Sequence, residues 1–220
     1  MAATVARPDM VPYVASWSGE KKVPGLVVPN PRGPGIGYAD EQPVDRDTNG
    51  VLWKRVGAGR GKGRPEFGKV HALRQHRAMR KLLCQVCGGA ADRDETGVLW
   101  LVGDYPGDAG TGRTAEDEFT TTHPPLCVPC AMASVRACPH LRKRYVALRA
   151  GLVVTAGVQG IVHRPGEPFP EPYDAGGVMY DDSRIHWTVA AQLIVALRHC
   201  TVVDLETEYA RYAARADRVT

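Results

Sequence analysis

The chain has 220 residues, 44% hydrophobic and 24% charged, with a formal net charge of +4. That is ordinary globular usage and excludes a disordered tail, a collagen or a coiled coil. No apolar run approaches the ~20 residues of a membrane helix, and the first residues lack the charged-then-apolar layout of a secretory signal, so a soluble cytoplasmic protein with no membrane partner is expected.

Residues 1–44 carry seven of the 17 prolines. Each fixes φ and removes a backbone donor, so this segment is read as an extended arm with short β pieces at 11–17 and 25–28. A repeat follows. Asp45-Arg46-Asp47-Thr48-Asn49-Gly50-Val51-Leu52-Trp53 returns as Asp92-Arg93-Asp94-Glu95-Thr96-Gly97-Val98-Leu99-Trp100. In both copies Asp and Gly make a turn that feeds a Val-Leu-Trp strand, which predicts two similar hairpins in one sheet. Between them lies Gly57-Ala58-Gly59-Arg60-Gly61-Lys62-Gly63-Arg64. No Ser or Thr follows Lys62 and the first Walker glycine would fall on Val56, so this is a flexible basic loop and not a phosphate cradle.

A helix is predicted over 69–83, with Ala72, Leu73, His76, Met79 and Leu83 inward and Arg74, Arg77 and Lys81 on another face. A Gly-rich loop follows at 103–113, then a solvated acidic turn at Glu116-Asp117-Glu118. A second helix is expected over 131–148, kinked at Pro139, with Arg142, Lys143 and Arg144 as a smaller basic patch. A strand or hairpin at 152–162 and a Pro/Gly-rich connection at 164–177 precede an apolar run from Trp187 to His199, read as a buried helix. The chain then forms an amphipathic helix over 204–218, capped by Asp204 and turning Leu205, Tyr209, Tyr212 and Ala213 inward.

Charge is concentrated. From Lys54 to Lys81 ten basic residues face one acidic residue, Glu66, a net +9 in a chain whose total is +4. A block of this kind suits a polyanion, and Lys62, Arg64, Arg74, Arg77 and Lys81 are the expected nucleic-acid contacts. Trp53 and Trp100 are candidates for stacking on bases, against the more ordinary role of buried sheet aromatics.

Four of the six cysteines form two C-x-x-C pairs, Cys84/Cys87 and Cys127/Cys130. Thiols stay reduced in the cytosol, and two such pairs supply the four thiolates of one structural Zn2+ site. The 39 residues between the pairs contain the second predicted hairpin, giving the order knuckle, hairpin, knuckle, helix of a treble clef. Cys138 and His140 are too few for a second ion unless His123 or another group joins them; a buried helix cysteine is the ordinary reading of Cys138, and Cys200 is expected in the core.

The same order resembles the HNH nuclease module. That resemblance implies a general-base His on the strand after the first knuckle, yet residues 97–102 contain none; Asp104, His123 and His140 would make an atypical metal site. The strings Gly63-Arg64-Pro65-Glu66-Phe67-Gly68, Arg80-Lys81-Leu82-Leu83-Cys84-Gln85-Val86-Cys87-Gly88 and His123-Pro124-Pro125-Leu126-Cys127-Val128-Pro129-Cys130 resemble an actinobacterial, streptomycete-type zinc-knuckle family. This resemblance implies lineage and a cytoplasmic setting and carries no activity over.

The expectation is an α+β fold: an arm (1–44), a treble-clef-like zinc module with the duplicated hairpin and basic helix (45–150), and a strand plus helical part packed on the same core (151–220). The leading function is a non-enzymatic, zinc-stabilised protein that binds DNA or RNA or regulates. The alternatives are a protein-interaction adaptor using the zinc module and the arm, and an HNH-like nuclease.

Overall fold

A computed structural model describes residues 10–21, 23–103, 111–113, 118–141 and 145–216. The fold is mixed α+β. Among the described residues it has three helices, one eight-stranded sheet and two small two-stranded ladders.

The spine of the large sheet is a pair of long antiparallel strands, β10 (Tyr145–Arg164) and β12 (Thr188–Val202). They are joined through β11 (Glu171–Met179), which folds back on the far half of β10. Near half and far half of β10 thus have different outer neighbours: β7 (Gly97–Gly103) pairs with residues 145–150, and β11 with 157–164. The outer edge of β12 is shared in the same way. The two-residue β4 (Leu52–Trp53) runs parallel to Val189–Ala190, and β9 (Phe119–Thr121) runs antiparallel to residues 195–197. Short strands β6 (Arg93–Asp94) and β8 (Thr111–Arg113) close the two ends.

Of the run 187–199 expected as a helix, residues 188–199 are strand, and Trp187 ends a short 3-10 turn before it. Flanked by strands on both edges and covered on both faces, β12 buries Ala190 and every residue from Leu193 to Leu197. A strand buried on both faces shows an unbroken apolar run with no alternation, which a helix of the same composition also shows. The second expected helix is also corrected. Helix α2 (Val128–Ala137) stops at Cys138, before Pro139, and Tyr145–Leu148 belongs to β10.

Strand β7 shows how the core is divided. Val98, Trp100 and Val102 point into one cluster with Trp53, Ala72 and Met79. Leu99 and Leu101 point into the other, with Cys84, Leu126, Met132 and Leu205. So helix α1 (Ala72–Lys81) covers one face of the sheet, while α2 and α3 (Leu205–Ala216) cover the other. Both helices that sequence places near these positions are present. Asp204 caps α3 by accepting a hydrogen bond from the Thr207 N–H at 2.8 Å. On α3, Leu205 and Glu208 are buried and Tyr212 is exposed, not inward.

The two copies of the repeat make the same local turn. Asp47 Oδ1 accepts from the Asn49 and Val51 N–H groups, and Asp94 Oδ1 accepts from the Thr96 N–H. Both copies end in the same sheet, on opposite sides of the spine. The first is reduced, its arms joined by the Arg46–Leu52 bridge and by a hydrogen bond from the Asp47 N–H to the Val51 carbonyl. The leading Asp of each copy holds a distant arginine. Asp45 clasps Arg55, while Asp92, Asp94 and Glu208 surround Arg149, whose side chain is 3% exposed. Three carboxylates around one buried guanidinium tie the second turn to α3, and removal of that cation would leave the buried Glu208 carboxylate without its buried partner.

Candidate metal centre and the cationic surface beside it

The metal centre grows from the end of α1. Leu82 caps the helix in the left-handed region (φ 49°), and Leu83 bridges Ala90. Between those two residues the chain makes a tight knuckle. The Gly88 N–H donates to the Cys84 carbonyl at 2.8 Å, and the Cys84 N–H donates to the Gly89 carbonyl at 2.7 Å. Gly88 sits at φ 76°, and a Cβ there would press on the Tyr13 ring, so glycine is required twice over. The second pair is set by α2: Cys127 is its N-cap and Cys130 lies in its first turn. Leu126, which precedes the pair, is pinned between hairpin strands, donating to Leu99 and accepting from Asp92.

These elements bring the sulfurs of Cys84, Cys87, Cys127 and Cys130 within 4.8 Å of one another. Sγ of Cys127 is 3.7 Å from that of Cys84 and 3.9 Å from that of Cys87. A tetrahedron of ~2.3 Å metal–sulfur bonds has edges of about 3.8 Å, so the four residues fit a metal centre. None of the six cysteines is in a disulfide. The electrostatics agree. The Cys84 thiol is pulled down to about 5 by a hydrogen bond from Cys127 and by backbone N–H groups of the knuckle. Burial then pushes Cys130 up to about 12, and the hydrogen bond with Cys84 drives Cys127 above the ordinary thiol range. Four thiolates at this spacing repel one another, and a shared cation removes the conflict.

Cys138 lies at the C-cap of α2, and it, His123 and His140 are not part of the cysteine cluster. Among the described residues no other group of three or more Cys, His, Asp or Glu has metal-ligand spacing. Asp104, the patch at 142–144 and Glu116 and Asp117 lie outside the described residues. Cys200 is half-buried against the larger core.

The cationic stretch sorts into two groups. Arg55, Lys69 and Arg74 are committed to carboxylates: Arg55 to Asp40 and Asp45, Lys69 to Glu66, and Arg74 to Glu20. Arg74 is only 12% exposed and also donates to the Ala15 carbonyl at 2.7 Å. It fastens the arm to α1, and it leaves little surface for a phosphate. Lys62, Arg64, Arg77 and Lys81 are exposed, together with Lys54, Arg60 and Arg80, and none of these has a carboxylate partner among the described residues. On α1 the exposed positions are Leu73, Arg77, Arg80 and Lys81, one helical face.

The inward face of α1 is Ala72, Gln75, Ala78 and Met79, so Leu73, expected inward, is exposed, and the polar Gln75 is buried. The reason lies in the sheet. β4 and β9 leave a gap along β12, and the Gln75 amide fills it, accepting from the Leu193 N–H and donating to the Leu193 and Thr122 carbonyls. A fully buried side chain thus completes a backbone ladder, which no hydrophobic count anticipates.

The basic loop is not loose. Gly19 donates to the Lys62 carbonyl, Ser18 to the Arg64 carbonyl, and Gly57 to the Lys21 carbonyl. Gly63 sits at φ 78° with Ser18 Oγ 2.3 Å from where a Cβ would lie. The arm in turn docks on the knuckle: the Tyr13 and Val14 N–H groups donate to the Val86 and Gln85 carbonyls at 2.8 and 3.2 Å. Arg60 lies over the Tyr13 ring, 5.2 Å from its centroid. Knuckle, arm and loop form one stitched unit, with the cations on its outside. Trp53 and Trp100 are 4% and 0% exposed, so both are core residues and cannot stack on a ligand. No helix among the described residues is long and apolar enough to cross a membrane. In comparisons with known proteins, the chain matches no family model, no curated protein and no solved structure.

Proposed function

We propose that this chain is a zinc-stabilised, non-enzymatic nucleic-acid-binding protein. In this reading Cys84, Cys87, Cys127 and Cys130 hold one Zn2+ in a treble-clef-like module, in which the knuckle, the β6–β7 hairpin and the N-terminus of α2 surround the ion. Thiolate ligands in a closed tetrahedral set suit a structural zinc rather than an open catalytic one. The zinc's work is mechanical: it fixes the knuckle on which the arm and the basic loop are stitched. The observation that carries the reading is the set of exposed cations, Arg60, Lys62 and Arg64 on the loop and Arg77, Arg80 and Lys81 on α1, none of which has a carboxylate partner among the described residues. Such contacts are to phosphates and place the protein without reading sequence.

Binding to random-sequence DNA and RNA across a salt series tests this. For about five phosphate contacts the expected slope of log K against log salt is about −4. The variant Arg64→Ala/Arg77→Ala/Lys81→Ala keeps its fold and loses about three units of that slope. No binding at low salt, or a triple variant that binds like the parent, overturns the proposal. Under the adaptor reading a partner would meet the arm outside residues 12–21, which are engaged with the chain's own knuckle, loop and α1.

A further inference from the structure

The nucleic-acid surface includes one aromatic side chain with an open face. Strand β5 (Pro65–Val70) pairs with β1 (Ala15–Trp17), but the ladder is broken: Ser16 faces Glu66 while its neighbour Ala15 faces Val70. Three residues, Phe67, Gly68 and Lys69, therefore bulge out of the pairing. An extra length of chain on one strand is forced away from its partner, and here it carries Phe67 outward, 41% exposed. Nothing lies within 4 Å of a Cβ built on Gly68, so the bulge itself stands clear of the rest of the fold at that position. The Glu66–Lys69 ion pair closes the base of the bulge. Arg64 stands on one side in sequence and α1, with Arg77, on the other.

A lone exposed apolar residue is ordinary. Phe67 differs in that a bulge holds it out, three residues from Arg64, while the neighbouring Trp17 on β1 is half-buried. Trp53 and Trp100 are in the core, and Tyr13 is covered by Arg60. We infer that Phe67 is a stacking platform for an unpaired base, and that the polymer recognised by this surface is single-stranded. This inference rests on the nucleic-acid reading above. The bases of a duplex are stacked on one another and offer no face to a side chain at the groove rim, whereas each base of a single strand has a free π-face. Phosphates on either side of the stacked base would meet Arg64 and the α1 cations.

The test uses the full, zinc-loaded chain and fluorescence anisotropy with three probes: a 20-mer of U, a 20-mer of dT and a 20-base-pair duplex. The parent is expected to bind at least one single strand at least fivefold more tightly than the duplex. Phe67→Ala weakens single-strand binding at least fivefold, with less than a twofold change on the duplex and an unchanged salt slope; Phe67→Tyr restores binding. Being exposed, the site tolerates both changes, and equal melting temperatures verify this. Whichever single strand is preferred names the polymer, and either supports the inference. Duplex preference, or Phe67→Ala acting equally on all probes or on none, overturns it while the cationic reading stands. Failure of the parent to bind any probe overturns both.

Discussion

Arg74 and Gln75 are neighbours in sequence and show what residue type alone conceals. Arg74 carries the charge expected of a phosphate contact, yet it is buried against Glu20 and holds the arm. Gln75 is polar and fully buried because it serves as a piece of strand. Titratable groups are placed with similar economy. Burial lowers the pKa values of His71, His76 and His163 below the ordinary histidine value. Arg55 and Arg46 hold Asp45 and Glu41 below the usual carboxylate range. The folded chain thus binds fewer protons than the unfolded chain in both windows, and stability falls with acid in two stages. The first begins as pH drops through about 6.5, where unfolded imidazoles protonate, and the second through about 4, where unfolded carboxylates do. Urea midpoints taken from pH 8 to pH 3.5 should decline in both ranges; a flat profile between pH 7.5 and 5.5 contradicts the histidine assignment.

At the scale of elements, Gln75→Ala removes three hydrogen bonds from buried backbone groups of Thr122, just after β9, and of Leu193 on β12, and leaves a cavity between β4 and β9. The expected loss is on the order of 2–4 kcal/mol, read from the urea midpoint, with nucleic-acid contacts on the outer face of α1 untouched. A variant within about 0.5 kcal/mol of the parent would mean that the gap in the ladder is not filled as described. Helix α1, helix α3, the turn of the repeat and the knuckle were legible in sequence because each depends on local chemistry: a periodic face, an N-cap, an Asp-to-backbone bond, a C-x-x-C spacing. Strand β12 was not. Its apolar residues lack alternation because both faces are buried, and that burial depends on distant elements such as β4, whose Leu52 pairs with Val189. The pairing of the two C-x-x-C motifs was likewise legible. The docking of the arm on the knuckle was not, because its hydrogen bonds run between backbone groups of residues 13–14 and 85–86, which carry no side-chain signal.

For the whole molecule, the four cysteines join parts that the sheet does not. Chelation of the metal under reducing conditions is expected to lower the melting temperature and to release the arm from residues 85–86, so that trypsin cuts sooner at Lys21 and Arg60. Binding to nucleic acid should weaken in the same preparation and return with added Zn2+. Unchanged melting and protease resistance after complete metal removal, verified by elemental analysis, would show that the centre is not structural.

The order in which the sheet's strands occur along the chain has a consequence for biosynthesis. β12 is the common neighbour of β4, β9 and β10, and it is the last strand. As the polypeptide leaves the ribosome, β4 and β9 emerge with no partner for their inner edges, and they wait until about residue 202 has been made. The knuckle and α2 can gather a metal ion earlier, since Cys130 precedes the spine by some 15 residues. Assembly is therefore expected to be metal centre first and sheet last, with an interval in which apolar edges are open to other nascent chains. A stalled chain ending at residue 187 should bind zinc yet remain sensitive to protease and prone to aggregate, whereas one ending beyond residue 216 should be protected.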